Sequence, residues 1–113
     1  LAMTSQDKVD TYEKVRDVFV SLLHEVRELS KKKPEIVMSE SKVKLINRVL
    51  QDVIVVIQDE PQAAYVELLD DDQLPQNSDA LLMMVQFDAA LDAFKDAHFD
   101  YTAYSWSVSP SAR

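Results

Sequence analysis

The sequence predicts an all-α domain: an antiparallel helical bundle of three long helices plus one short helix, followed by an extended aromatic C-terminal tail. Apolar residues recur at steps of three and four over long stretches, which is the spacing of one helix face. Glycine is absent, so phosphate-binding loops, nucleophile elbows and glycine-built hairpin turns lack the residue that tolerates positive φ. Cysteine is absent too, which excludes disulfides and sulfur-ligated metals.

The chain has 113 residues, which is room for one domain. We expect this single helical domain to span residues 3–113, with residues 99–113 as its tail. Leu1 and Ala2 precede Met3 and are expected to be foreign to the natural chain.

The first long helix is predicted from Ser5 to Lys32. Thr4 and Ser5 are typical helix caps, and lysines followed by Pro34 favour a helix end. Its apolar positions are Tyr12, Val15, Phe19, Leu22, Val26 and Leu29.

The second helix is predicted from a cap at Ser39 or Ser41 to about Asp59. Its apolar positions are Val43, Ile46, Leu50, Val53 and Ile57. All five residues from Val53 to Ile57 are β-branched, so a buried strand is the alternative there. Helix is preferred because the spacing enters this run without a turn signal.

The remaining elements follow Pro61. A short helix is predicted over about 62–69, then an acidic loop, and then a third long helix from about Asp79 to His98, capped by Ser78 and Asp79. The helix has apolar positions at Leu81, Met84, Phe87, Leu91 and Phe94. Beyond it, Tyr104, Trp106 and Val108 alternate with serines, which predicts an extended tail.

The net charge of −8 repels phosphate backbones and anionic membranes. We therefore expect no nucleic-acid partner and no membrane partner. No stretch is long and apolar enough for a membrane span, and the N-terminus lacks the order of a signal peptide, which predicts a cytoplasmic protein. No cofactor is predicted.

The three consecutive carboxylates Asp70, Asp71 and Asp72 form the first candidate site, as a contact surface for a basic partner or a loose magnesium site. The calcium-loop template fails, because Pro75 stands where glycine is required when Asp70 is position one. A solvated acidic loop is the preferred interpretation of the cluster, ahead of the contact surface and then the magnesium site. The histidines offer no site, since neither His24 nor His98 completes a zinc or di-iron motif.

Two further groups are candidate partner-binding residues. Met83 and Met84 can line an adaptable groove, although core filling is the preferred interpretation. Tyr101, Tyr104 and Trp106 can anchor another chain, because tyrosine and tryptophan are enriched at binding hot spots, or they can dock on their own bundle. Asn47 sits inside the second helix, where it either fixes helix association or is exposed.

Apolar residues surround the helix almost completely at Val53–Ile57 and at Ala80–Val85, which needs more cover than three helices provide. A homodimer is the predicted source of that cover, and the tail packing over one of these faces is the alternative. No motif indicates catalysis, so the chain is predicted not to be an enzyme. The preferred function is a non-catalytic protein–protein interaction module: an adaptor, an immunity or antitoxin-like protein, or a small regulatory subunit. The alternatives are an acidic nucleic-acid mimic that inhibits a basic protein, and a metal-dependent enzyme that uses Asp70–Asp72.

Overall fold

Three α-helices dominate the chain, in agreement with the all-α prediction. The computed structural model describes residues 1–110, so residues 111–113 of the predicted tail lie outside the described part. The helices are α1 (Gln6–Lys32), α2 (Glu40–Ile57) and α3 (Asn77–His98). They pack side by side into a body of 46 × 26 × 22 Å. Lys14 lies beside Asp52 and Arg16 lies beside Asp92, so α2 and α3 each run antiparallel to α1. The two helices α2 and α3 therefore run parallel to each other, and the predicted antiparallel bundle is correct only for the pairs that include α1.

Serine caps start the first two helices where the sequence predicts them. The hydroxyl of Ser5 accepts a hydrogen bond from the backbone N–H of Lys8, and that of Ser39 accepts one from Lys42. Each cap satisfies an amide that the first helical turn leaves without a partner. The β-branched run Val53–Ile57 lies within α2, so the strand alternative is wrong and the helix prediction is confirmed.

The core lies along the predicted apolar positions. All five predicted positions of α2 are buried, and so are Met84, Phe87, Leu91 and Phe94 of α3. The agreement is incomplete in α3, where the predicted position Leu81 is only partly buried, and in α1. Leu23 is buried in the core, whereas Leu22 and Leu29 are only partly buried. The buried face of α1 is therefore rotated away from Leu22 and Leu29, and these two leucines lie at the edge that α1 shares with α2.

The third helix begins earlier than predicted. Its N-cap is Gln76, which makes no side-chain capping bond, so the predicted cap at Ser78 and Asp79 is wrong. The reason is a tertiary contact: the side chain of Asn77 is buried and donates a hydrogen bond to the backbone oxygen of Lys33, 2.9 Å away. This bond ties the start of α3 to the end of α1.

The prediction of a short helix over 62–69 is also wrong in its length and type. The described residues form three α-helices, without a fourth. A short 3₁₀-helix spans Pro61–Tyr65, and Val66 is already extended. Asn47 explains the extended chain that follows. Its side-chain amide donates to the backbone oxygen of Leu69 and accepts from the backbone N–H of Leu69, at 2.8 and 2.9 Å. The two bonds hold Leu69 in the core on the side of α2.

The tail is extended only in part, because it folds back as a hairpin. Strand β1 (Phe99–Asp100) pairs antiparallel with β2 (Ser105–Trp106), with Phe99 opposite Trp106. The absence of glycine excludes a glycine-built turn, and this turn forms without glycine. Tyr104 supplies the positive φ, at 55°. The carboxylate of Asp100 accepts the backbone N–H groups of Thr102 and Ala103 and so stabilises the turn.

The chain ends meet beside the hairpin. Thr4 forms a parallel bridge with Val108, and the backbone N–H of Ala2 donates to the oxygen of Ala97, 3.2 Å away. The segment before α1 is thus fixed between the end of α3 and the tail. Within the described residues, no helix is both long and apolar enough to cross a membrane.

Candidate functional site

An open groove lined mainly by apolar side chains lies between α1 and α2. Val18 and Leu45 face each other across it, with 51% and 46% of their surface exposed. Along its walls lie the partly buried side chains of Leu22, Leu29 and Val49. We call this surface the α1–α2 groove. It exists because each helix carries apolar residues beyond the face that the three-helix core buries.

The groove consists of two adjoining cavities of about 290 and 340 Å³ that share Leu45. Their floor is made by the core residues Val15, Val26 and Ile46. From Lys14 to Leu29 the groove follows α1 for about 22 Å at 1.5 Å per residue. It can therefore accommodate four turns of a helix.

Charged side chains border the α1–α2 groove. Lys14 and Asp52 approach each other across one end, with 4.0 Å between Nζ and Oδ2. Lys42 and Arg48 border the groove from α2, and Glu25 borders it from α1. Among the described residues none of these last three forms a salt bridge, whereas Lys44, just beyond the rim, pairs with Glu40 at 2.8 Å.

The opposite side of α1, where it meets α3 and the hairpin, is polar and internally paired. Arg16 lies 3.9 Å from Asp92, and the indole N–H of Trp106 donates to Glu13 at 3.0 Å. The buried ring of Tyr12 packs beneath these contacts, and its burial raises the pKa of the phenol. Burial likewise raises the pKa of Asp88, aided by the charge of Asp92.

The tail aromatics separate into two environments. Trp106 packs against Tyr12, Phe94 and Phe99, with ring centroids 5.2 to 5.7 Å apart, so it docks on its own bundle. Tyr101 and Tyr104 lie at the hairpin turn and are exposed, Tyr104 by 80%. The structure therefore leaves the two tyrosines accessible to another chain and places the tryptophan against the core.

Met83 and Met84, the two methionines predicted as partner contacts, differ in burial. Met84 is fully buried in the core, and Met83 is partly buried against it. In this conformation only Met83 has a surface that another chain can reach. The apolar runs behind the homodimer prediction leave three exposed side chains, Val55, Leu82 and Val85.

The acidic residues Asp70, Asp71 and Asp72 are all exposed, and their carboxylate oxygens come within 4.8 Å of one another. One oxygen of Asp70 already accepts the backbone N–H groups of Asp72 and Gln73, at 2.8 and 2.9 Å. These two bonds lower the pKa of the Asp70 carboxyl, because they stabilise its charged form. Asp70 thus has a structural role of its own, in turning the loop.

A buried polar contact that sequence reasoning missed lies at the end of α3. His98 is buried, with Nδ1 2.7 Å from the backbone oxygen of Ala2 and Nε2 3.1 Å from Oε1 of Glu60. Its ring packs on Phe94, with centroids 4.8 Å apart. The contact joins the N-terminal segment, the end of α2 and the end of α3. No local pattern around His98 signals partners so far away in sequence.

The groove residues were also missed as a site, although a signal for them exists. Val18 and Leu45 are apolar residues outside the predicted core positions, on consecutive helices. Apolar residues at spacings of four on both, Val18 with Leu22 and Leu45 with Val49, indicate a second apolar edge on each helix.

In comparisons with known proteins, no protein-family model, no curated protein and no solved structure matches this sequence.

Proposed function

We propose that this chain is a non-catalytic protein–protein interaction module that binds a helix of its partner in the α1–α2 groove. The observation that carries this proposal is the pair Val18 and Leu45, two aliphatic side chains about half exposed on facing helices over an apolar floor. An apolar helix face laid into such a groove is a common mode of recognition, in which residues at spacings of three and four act as anchors.

The shape of the groove supports a helix as the ligand. Its length of about 22 Å matches roughly fifteen helical residues. Burying the exposed parts of Val18, Leu22, Leu45 and Val49 removes apolar surface from water, which is the main favourable contribution to association. The groove walls are regular helices, so little ordering of the chain opposes binding.

The other predicted contact residues are part of the same proposal as secondary surfaces. Tyr101 and Tyr104 offer exposed aromatic rings at the hairpin turn, and Asp70–Asp72 offer a carboxylate cluster. The homodimer, the acidic nucleic-acid mimic and the metal-dependent enzyme stay predictions, since no geometric observation favours them over the groove.

Selection from a displayed library of amphipathic helical peptides tests the groove as a binding site. We expect the selected peptides to bind with at least about tenfold lower affinity to the variant Leu45→Glu, which puts a charge into the apolar centre of the site. Affinity is measured by fluorescence polarisation, and backbone amide NMR shifts locate the bound peptide.

The matched control is Val55→Glu. Val55 lies on the same helix and is 45% exposed, against 46% for Leu45, but it does not line the groove. Binding of the selected peptides is expected to be unchanged in this variant. Peptides that bind both variants as well as the natural chain, or a selection that recovers no helix, would contradict the proposed function.

A further inference from the structure

We propose that the buried ring of His98 is a pH-sensitive switch, which holds the N-terminal segment against the end of α3 only while the ring carries two protons. The group formed by His98, the carboxylate of Glu60 and the backbone oxygen of Ala2 is called the His98 contact. None of these three residues lines the α1–α2 groove, so this inference is independent of the proposed function.

Both partners of the ring are hydrogen-bond acceptors. Nδ1 lies 2.7 Å from the backbone oxygen of Ala2, and Nε2 lies 3.1 Å from Oε1 of Glu60. A neutral imidazole has a single N–H and donates to only one of them, whereas a protonated ring donates to both. The complete His98 contact therefore holds one proton more than a neutral histidine beside an ionised glutamate. The acceptor in Ala2 belongs to the backbone, so the side chain at that position plays no part.

His98 and Glu60 are buried together. Only 6% of the His98 side chain and 13% of the Glu60 side chain are exposed. A carboxylate is costly to bury unless a donor or a positive charge accompanies it, and the protonated ring provides both. Loss of the extra proton leaves the pair with a net negative charge in a site that water hardly reaches.

The other charged side chains around the ring do not replace that proton. Lys8 and Asp59 line the same cavity, from α1 and from the connection after α2, and they form a salt bridge with each other. On α3 itself, Lys95 and Asp96 contact aromatic rings of the hairpin. The N-terminal segment and the tail line the cavity with uncharged side chains. The charges of the lining side chains therefore balance only while His98 is protonated.

When the ring loses a proton, the bond to Ala2 is the one that breaks. A carboxylate is a stronger acceptor than a backbone carbonyl, so the remaining N–H stays on Nε2 and donates to Glu60. The lone pair of Nδ1 then faces the oxygen of Ala2 at 2.7 Å, and two acceptors at that distance repel each other. The N-terminal segment is thereby released from the side chain of His98.

Rising pH therefore weakens the His98 contact. Histidine ordinarily changes its charge between about pH 5 and 8. The complete contact binds a proton that the released form does not, so the contact is intact at the lower end of this range and is lost toward its upper end. Because Thr4 forms a bridge with Val108, release of the segment also loosens the tail.

NMR of the histidine rings in the whole chain tests the proposal. At about pH 5 both ring nitrogens of His98 are expected to be protonated, and near about pH 8 Nδ1 is expected to be the nitrogen without a proton. The backbone N–H of Thr4 donates to the oxygen of Ser107 at 3.0 Å. Over the same pH range its protection from hydrogen exchange is expected to fall about tenfold, the factor for one charge-assisted hydrogen bond. His24 is exposed and provides the internal reference for the ring signals.

Glu60→Gln is the decisive variant, because the amide of glutamine can donate to Nε2. A neutral ring then satisfies both partners with its single N–H on Nδ1, so the tautomer is the reverse of that in the natural chain. We expect the protection of Thr4 in this variant to be independent of pH. The matched control is Asp59→Asn, which removes the carboxylate of the preceding residue from the same cavity. This control is expected to keep the tautomer and the pH dependence of the natural chain.

Three results would overturn the proposal. The first is a His98 ring with a single proton at about pH 5 while Thr4 stays protected, because the contact then does not depend on the second proton. The second is an unchanged tautomer and pH dependence in Glu60→Gln, since the carboxylate is then not their cause. The third is loss of the pH dependence in Asp59→Asn as well, which would assign it to the general charge of the cavity.

Discussion

The two sides of α1 differ in whether their side chains have contact partners within the chain. Toward α3 and the hairpin, the polar groups have partners within the chain: Arg16 lies beside Asp92, and Trp106 donates to Glu13. Toward α2, the apolar side chains of Val18 and Leu45 are about half exposed. The side chains of α1 that face α3 and the hairpin thus have partners within the chain, whereas apolar side chains on the side toward α2 stay exposed.

This difference separates the scaffold from the proposed binding surface. Aromatic rings and paired charges on the α3 side contribute to folding, because they are buried or hydrogen-bonded in the chain itself. Exposed aliphatic residues on the α2 side contribute little to folding, since water still reaches much of their surface. In the proposed function they contribute to association instead.

Truncating one large side chain on each side of α1 gives the largest expected difference in the free energy of unfolding. Trp106→Ala deletes a ring that contacts Tyr12, Phe94 and Phe99 and also loses the hydrogen bond to Glu13. We expect it to lower the free energy of unfolding by about 3 kcal/mol, the usual range for a packed aromatic. Leu45→Ala is expected to cost less than about 1 kcal/mol, because its side chain is half exposed.

Urea unfolding followed by circular dichroism measures both values. The slope of the transition must stay the same for the comparison to hold. Equal costs for Trp106→Ala and Leu45→Ala would mean that Leu45 belongs to the scaffold, and the distinction between the two sides of α1 would fail.

The three long helices and the caps of α1 and α2 could be predicted from sequence because they depend on local rules. Spacings of three and four located the cores of α1, α2 and α3, and Ser5 and Ser39 each accept a bond from an amide three residues later. The rotation of α1 about its own axis could not be predicted. Leu22 and Leu23 are neighbours in sequence, and only packing against the other helices decides that Leu23 is the buried one.

The elements that sequence reasoning missed all depend on distant contacts. The segment after Tyr65 is extended because Asn47, 22 residues earlier than Leu69, binds the backbone of Leu69. The early start of α3 follows from the bond between Asn77 and Lys33, 44 residues apart. The hairpin forms without glycine because Asp100 stabilises the turn and Trp106 is anchored on the core.

The hairpin on the α3 side carries local strain at Tyr104, the one described residue with a positive φ. A side chain with a Cβ in this region costs about 1 kcal/mol, and glycine avoids that cost. We therefore expect Y104G to be more stable than Y104A by about 1 kcal/mol, the reverse of the usual order. Both variants lose the ring, so their difference reports the backbone alone.

The control pair is Thr102→Gly against Thr102→Ala, in the same turn but at a negative φ. There the alanine variant is expected to be at least as stable as the glycine variant. Thermal unfolding of the four proteins measures the two differences. An identical order at both positions would show that the turn at Tyr104 is not strained, and that the hairpin needs no compensation from its contacts with α1 and α3.

The smallest expected effect concerns the carboxyl of Asp88, on the α3 side of α1. Burial, and then the charge of Asp92, raise its pKa above the ordinary value of 3.8, while Arg16 and Arg27 lower it in part. A raised pKa means that the folded chain binds the proton more tightly than the unfolded chain, so the ionised carboxylate opposes folding at neutral pH. Asp88→Asn is expected to raise the unfolding temperature slightly at neutral pH. The gain should shrink as the pH falls through the raised pKa and vanish below 3.8, where the carboxyl is protonated in both states.

The matched change is Asp71→Asn, which removes the same charge from an exposed loop residue. Thermal unfolding of both variants over a series of pH values separates a local effect from a general one. If Asp71→Asn gives the same gain with the same pH dependence, the cause is the net charge of −8 and not the burial of Asp88. If only Asp88→Asn raises the unfolding temperature, then the carboxylate of Asp88 is only partly compensated by Arg16 and Arg27. Partners within the chain would then reduce the cost of burying charge on that side without removing it.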